Sequence, residues 1–144
     1  MRVSIRSLTA GQCRRPCLAC RVMLVLCVGL LVAGVGHFAS PEFFDAIVPP
    51  WLPGPERAYT YVSGVAEVAV ALALIPRRTR RAAALAAAAL FVAVYPANLY
   101  MAWDWRDRPL ADQLVAWGRL PLQIPMVWWA IRVAGTASRR RDAA

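Results

Sequence analysis

The residues of this chain that could do chemistry inside an apolar surround are few. Residues 61–75 read YVSGVAEVAVALALI, with one carboxylate, Glu67, in the middle of the run. His37 is the only histidine, Asn98 stands just after Pro96, and Arg119 and Gln123 are four apart. Together these offer one acid, one cation, one imidazole and two amides. Such a set can donate hydrogen bonds to a carbonyl oxygen and exchange a proton at the carboxylate. It cannot carry electrons by itself. A single histidine excludes haem held by two histidines, and no glycine-rich dinucleotide fingerprint follows a strand. The three clustered thiols of CRRPCLAC (Cys13, Cys17, Cys20) have no second C-x-x-C element and no nearby histidine to complete a tetrahedral zinc site, and Cys27 lies in the first apolar stretch, so no metal site is expected.

The elements that must position these groups are long and apolar. The chain has 144 residues, 60% of them hydrophobic, and a mean hydropathy of +0.47, more apolar than an ordinary soluble domain of one-domain length. Four stretches approach bilayer-spanning length, about 22–38, 59–75, 82–103 and 114–134; spanning takes roughly 20 apolar residues, with about 17 the lower end. All 17 basic residues are arginines, and their positions explain the net charge of +9. Arg2, Arg6, Arg14, Arg15 and Arg21 precede the first stretch; Arg77, Arg78, Arg80 and Arg81 separate the second and third; Arg132 and Arg139 to Arg141 close the fourth. The positive-inside rule then predicts an all-α, four-transmembrane-helix bundle with both termini cytoplasmic, in a bacterial-type cytoplasmic membrane. The lipid bilayer is its expected surround, and nucleic acid is not an expected partner. A basic N-terminal tail (1–21) and a basic C-terminal tail (135–144) flank the membrane domain. A cleaved signal peptide is the rival reading of the N-terminus, with an h-region at 24–35, and Met23 is an alternative start. Cleavage would leave three spans and strand one arginine cluster outside.

The outer loop between the first two spans, SPEFFDAIVPPWLPGPERAY, carries five prolines and is not expected to form a continuous helix. Its apolar residues predict a cap folded on the bundle mouth or the membrane surface. Placed by depth at about 1.5 Å per residue, His37, Glu67, Asn98, Arg119 and Gln123 all fall in the outer half of the bilayer, on four different helices. Agreement in depth predicts one polar cluster. Thr60, Ser63, Gly64, Glu67 and Ala71 make a small or polar stripe that turns Glu67 to the bundle interior. Pro96 leaves the Val92 carbonyl without its helical donor, and Pro121 and Pro125 flank Gln123. A charged residue at the bilayer centre costs roughly 2.5–3.5 kcal/mol on translocon scales, so Glu67 needs a partner, and Arg119 is the expected one. That pair reads equally as a device fixing helix register and as part of a binding site.

The motifs GVGHF (34–38), IVPPWLP (47–53), SGVAE (63–67), YPANLYMAW (95–103) and RLPLQ (119–123) resemble, in order, the DoxX-like family of small four-helix membrane proteins. The resemblance covers about residues 29–134 and puts the family's polar positions on His37, Glu67, Asn98, Arg119 and Gln123. It implies an accessory or ligand-binding subunit of a membrane redox complex, with a quinone as the possible cofactor: Arg119, Gln123, Asn98 or His37 would donate to a carbonyl oxygen and Glu67 would exchange the proton. The alternative is a non-catalytic assembly or partner-binding subunit that docks through the outer loop. A small transporter ranks last, because four helices without inverted repeats leave little room for alternating access.

Overall fold

The computed structural model of the protein describes residues 18–142. Cys13, Cys17 and the first four arginines therefore lie outside the described residues. Within them the chain is helical, with no strand. Four long helices, α1 (Leu18–Ala39), α3 (Glu56–Leu74), α4 (Arg80–Asp104) and α5 (Leu110–Asp142), are joined by a short α2 (Pro41–Asp45) and a 3₁₀ turn at Trp105–Asp107. α1, α4 and α5 each contain one expected apolar stretch and run past it at both ends, while α3 starts three residues before the 59–75 stretch and ends at Leu74, one residue short of it. Apolar composition stops where arginine begins, but Arg and Ala sustain helical hydrogen bonding as well as any residues do. The helices continue through Pro96, Pro121 and Pro125.

Two segments, Cys20–Ala39 and Arg80–Asp107, are long and apolar enough to cross a membrane. The other two long helices carry charges within or close to their apolar stretches: Glu56, Arg57 and Glu67 in α3, and Asp112, Arg119 and Arg132 in α5.

The long helices form a ring in the order α1, α3, α4, α5, in which, among the described residues, the backbones of the diagonal pairs α1–α4 and α3–α5 do not come close to each other. α1 packs closely on α3 and α4 closely on α5, while the α1–α5 and α3–α4 seams are looser. The bundle is thus two tight pairs laid against each other. Neighbours run antiparallel. Cys27 near the start of α1 donates to the Ala71 carbonyl near the end of α3, whereas Gly34 and His37 meet Gly64 nearer its start.

At one end the pairs close through small residues. Ala71, Ala84, Ala87 and Ala130 have no exposed surface and pack with Leu26, Leu30, Leu74 and Phe91. The alanine run RRAAALAAAAL thus provides a close-packing face, as small residues do between membrane helices. The turn beside it closes the end of α3, where Arg80 donates to the Leu74 and Ile75 carbonyls and the Thr79 hydroxyl to the Ala73 carbonyl. These carbonyls have no partner within the helix.

At the other end the loop after α1 folds over the bundle mouth. Pro41 starts α2, where its missing N–H costs nothing. Ile47 then buries itself against Met101, Ala102, Trp105 and Ala116. Arg57 Nε and the Thr60 hydroxyl donate to the two oxygens of Asp45, at 2.7 and 2.6 Å, and tie α2 to the start of α3.

Candidate functional site

Between the two apolar cores lies a cavity of about 330 Å³. His37, Glu67, Asn98, Arg119 and Gln123 all line it. They come from four helices: α1, α3, α4, and α5 twice. Helical geometry brings each one in. On α3 the stripe Thr60, Gly64 and Ala71 is buried, so Glu67, at helical spacing from both Gly64 and Ala71, faces the same way. On α5, Arg119 and Gln123 share a face for the same reason.

The partners differ from those expected. Glu67 Oε2 lies 3.5 Å from His37 Nε2, with both side chains about nine-tenths buried, and it forms no ion pair with Arg119. The cause is the crossing of α1 and α3. A Cβ on Gly34 would come within 3.0 Å of the Gly64 carbonyl oxygen, and one on Gly64 within 2.8 Å of the His37 Cβ. Two glycines thus let the backbones touch, and the residue three positions after each, His37 and Glu67, is delivered to the other helix. Sequence spacing shows both elements, GVGH and SGVAE, but not that they cross. The His37 ring also stacks on Phe44, with centroids 3.8 Å apart.

On the opposite pair, Asn98 Nδ2 donates to Gln123 Oε1 at 2.9 Å, and Gln123 Nε2 donates to the Phe91 carbonyl. The acceptor is therefore one residue before Val92, the carbonyl expected to be freed by Pro96, in the same turn of α4. Arg119 Nη1 approaches the Met101 sulfur at 3.7 Å, a weak acceptor, and its guanidinium lies 5.8 Å from the Phe43 ring. Most of its five N–H donors stay available to whatever fills the cavity.

The site is therefore divided. The polar contacts of the five residues stay within one helix pair or the other, and the cavity separates them. On the α1–α3 side, His37 Nδ1 and Glu67 Oε2 are buried without a hydrogen-bond partner; on the α4–α5 side is a cation with spare donors. Buried polar groups without partners cost on the order of 1–3 kcal/mol each. A molecule with an oxygen on each side would engage both, one accepting from the Arg119 guanidinium and the other accepting from a ring N–H of His37 or, as a hydroxyl, donating to Glu67 Oε2.

Phe44, Ile47, Val48 and Leu52 of the loop form the roof of the cavity, the cap expected from the loop's apolar residues, whereas Gly29, Leu122 and Met126 form a flank that the sequence did not assign. The aromatic, proline-rich loop carried a signal for the roof; the flank residues, being ordinary apolar side chains and a glycine, carried none. Outside the cavity, the Thr60 hydroxyl and, against the opposing push of burial, the Arg57 guanidinium hold the Asp45 carboxyl below the ordinary carboxylate range. Among the described residues no group of three or more histidine, cysteine or carboxylate side chains is placed to hold a metal ion.

Comparison with curated proteins and with solved structures finds no match to either. Residues 26–134, which contain all five cavity residues, match the model of a family described as a domain of unknown function, and the chain belongs to that family, DUF8561.

Proposed function

We propose that the chain is a DoxX-like four-helix integral membrane protein, with both termini cytoplasmic, that binds a small carbonyl-bearing molecule in the outer half of its bundle. A quinone fits this description, and the protein would serve a membrane redox complex as its ligand-binding or accessory subunit. The observation that carries the reading is the convergence of five polar residues from all four long helices on one cavity. The volume of about 330 Å³ lies at the lower end of the ligand-pocket range, roughly 300–1,000 Å³, and matches one substituted ring. Arg119 would hold one carbonyl oxygen, and Glu67 with His37 would receive or supply a proton at the other side.

The bilayer setting has support from the outside of the bundle. Large apolar side chains are exposed on every long helix, among them Val32 (68%), Val62 (68%), Val92 (60%) and Ile124 (70%). Apolar faces of that extent are rare on soluble monomers and ordinary against lipid. The test is native mass spectrometry of the gently extracted protein beside Arg119→Ala. A bound small molecule in the wild type that is lost in the variant supports the reading, and a wild type without one overturns it.

One observation favours the alternative of a partner-binding subunit. Trp51 (66%) and Trp103 (67%) are exposed at the capped end, where large aromatics would suit a protein partner as well as a membrane interface. On that reading Trp51→Ala impairs the parent complex more than Glu67→Gln does.

A further inference from the structure

The cavity is too small for a long-chain molecule, yet it reaches the side of the bundle. Its lining includes Gly29 and Ala33 of α1 and Leu122 and Met126 of α5. Gly29 is exposed, with nothing within 4 Å of the place a Cβ would occupy, and Leu122 is 61% exposed. Four lining residues are open to the outside, Gly29 of α1, Leu52 of the loop, Ala93 of α4 and Leu122 of α5; Gly29 and Leu122 are the two that lie on helices joined by a loose seam. α1 gives one flank to α3 through Cys27 and Gly34, and its next one to α5, where Gly29 and Ala33 are one turn apart. This α1–α5 seam is one of the two loose ones. The other, α3–α4, is bridged near the capped end by the loop: Trp51 stands edge-on to Tyr100 of α4, and the Tyr59 hydroxyl of α3 donates to the Pro53 carbonyl.

From this geometry we infer that the α1–α5 seam at Gly29 and Leu122 is a lateral port, through which the apolar chain of an amphiphile leaves the cavity while its polar head stays inside. This rests on the ligand-binding reading and narrows it. The ligand class is a neutral head of about one ring carrying a long apolar tail. The lining holds one acidic and one strongly basic side chain, Glu67 and Arg119, a balanced pair that suits a head without net charge. The tail adds little affinity, since lipid is as apolar as the seam. It must have an exit, and that makes the inference testable by steric exclusion.

The full chain in lipid nanodiscs is equilibrated with two tritiated probes: 2,3-dimethoxy-5-methyl-1,4-benzoquinone and the same ring with a decyl tail, each corrected for protein-free discs. Wild type binds both. Gly29→Leu and Leu122→Phe, each narrowing the port from one side, weaken the tailed probe by at least about tenfold, while the tail-less ring stays within about twofold. Val92→Phe, which enlarges an exposed α4 residue outside the cavity lining, leaves both unchanged, and Ala93→Leu, on the exposed α4 side of the wall, does not separate the tailed from the tail-less probe. Two port variants are used so that misfolding of one, seen as lost tail-less binding together with a lowered melting temperature, leaves the other to decide. If a folded port variant binds both probes like wild type, or loses both, the port is wrong while the binding site stands. If Ala93→Leu alone excludes the tailed probe, the exit is the α3–α4 seam and the inference is overturned. If wild type binds neither ring, the failure belongs to the ligand-binding reading itself.

Discussion

Gly34 and Gly64 oppose each other where α1 crosses α3, each occupying the space that the other's side chain would need. The nearest atoms to an added Cβ at Gly64 include the Gly34 carbonyl oxygen at 3.1 Å and the His37 Cβ at 2.8 Å. Backbone and Cβ atoms cannot swing aside as a side-chain tip can, so the helices would have to part. Gly64→Ala gains up to about 1 kcal/mol in helix propensity, but overpacking of this kind costs roughly 1–3 kcal/mol. The overpacking wins. Gly64→Ala is expected to lower the melting temperature in detergent and to weaken retention of the proposed ligand, whereas Gly135→Ala, in open space, raises the melting temperature slightly or leaves it unchanged.

The cap should respond to acid through Asp45. A carboxyl whose folded value lies below its unfolded one, ordinarily about 3.9, contributes stability above that pH and loses it as pH falls through the folded value. The Asp45–Thr60 and Asp45–Arg57 bonds should therefore hold α2 on α3 at neutral pH and release it in acid. Asp45→Asn is expected to speed hydrogen exchange in the 41–55 loop at pH 7, with the gap to wild type closing below about pH 4. A gap that stays constant across that range would mean the loop is held by its apolar contacts alone.

Gln123 is 6% exposed and makes two hydrogen bonds, accepting from Asn98 and donating to the Phe91 carbonyl. Gln123→Leu keeps most of the volume but leaves both partners without a bond. An unsatisfied buried group costs about 1–3 kcal/mol, so this variant should be clearly destabilised in thermal unfolding. Leu120→Met, a swap of similar volume on the same helix, should change stability by less than about 1.5 kcal/mol. Equal, small effects from the two would show that water replaces the Gln123 bonds.

The positions of the helices and the convergence of the five polar residues could be read from the chain, because both follow from periodicity and depth along single segments. Apolar runs mark the helices, and a rise of about 1.5 Å per residue places His37, Glu67, Asn98, Arg119 and Gln123 at similar heights. Pairing could not be read, because it depends on which helices cross closely. Glu67 meets His37 since Gly34 and Gly64 bring α1 and α3 into backbone contact, while Arg119 lies on α5, in the other tight pair. A charge-matching argument picks Arg119 for Glu67 because opposite charges attract, but it contains nothing about which seam is open. The short α2 was hidden for a different reason. Five prolines argue against one long helix, yet a proline at the first position of a short one is favourable.

That corrected pairing makes the last prediction. If His37 and Glu67 are in contact, a double-mutant cycle on stability with His37→Phe and Glu67→Gln should show a coupling within the range of roughly 0.5–3 kcal/mol found for touching residues. The cycle with Glu67→Gln and Arg119→Met should couple more weakly, because the cavity lies between those two groups. Arg119→Met alone should cost little stability, since the guanidinium gives up only the Met101 sulfur and the Phe43 ring, while retention of the proposed ligand drops sharply. A residue that spends few of its donors on the protein is better placed to act on a ligand than to hold the fold. Stronger coupling in the Glu67–Arg119 cycle than in the His37–Glu67 cycle would restore the ion pair expected from sequence and make Arg119 a structural residue.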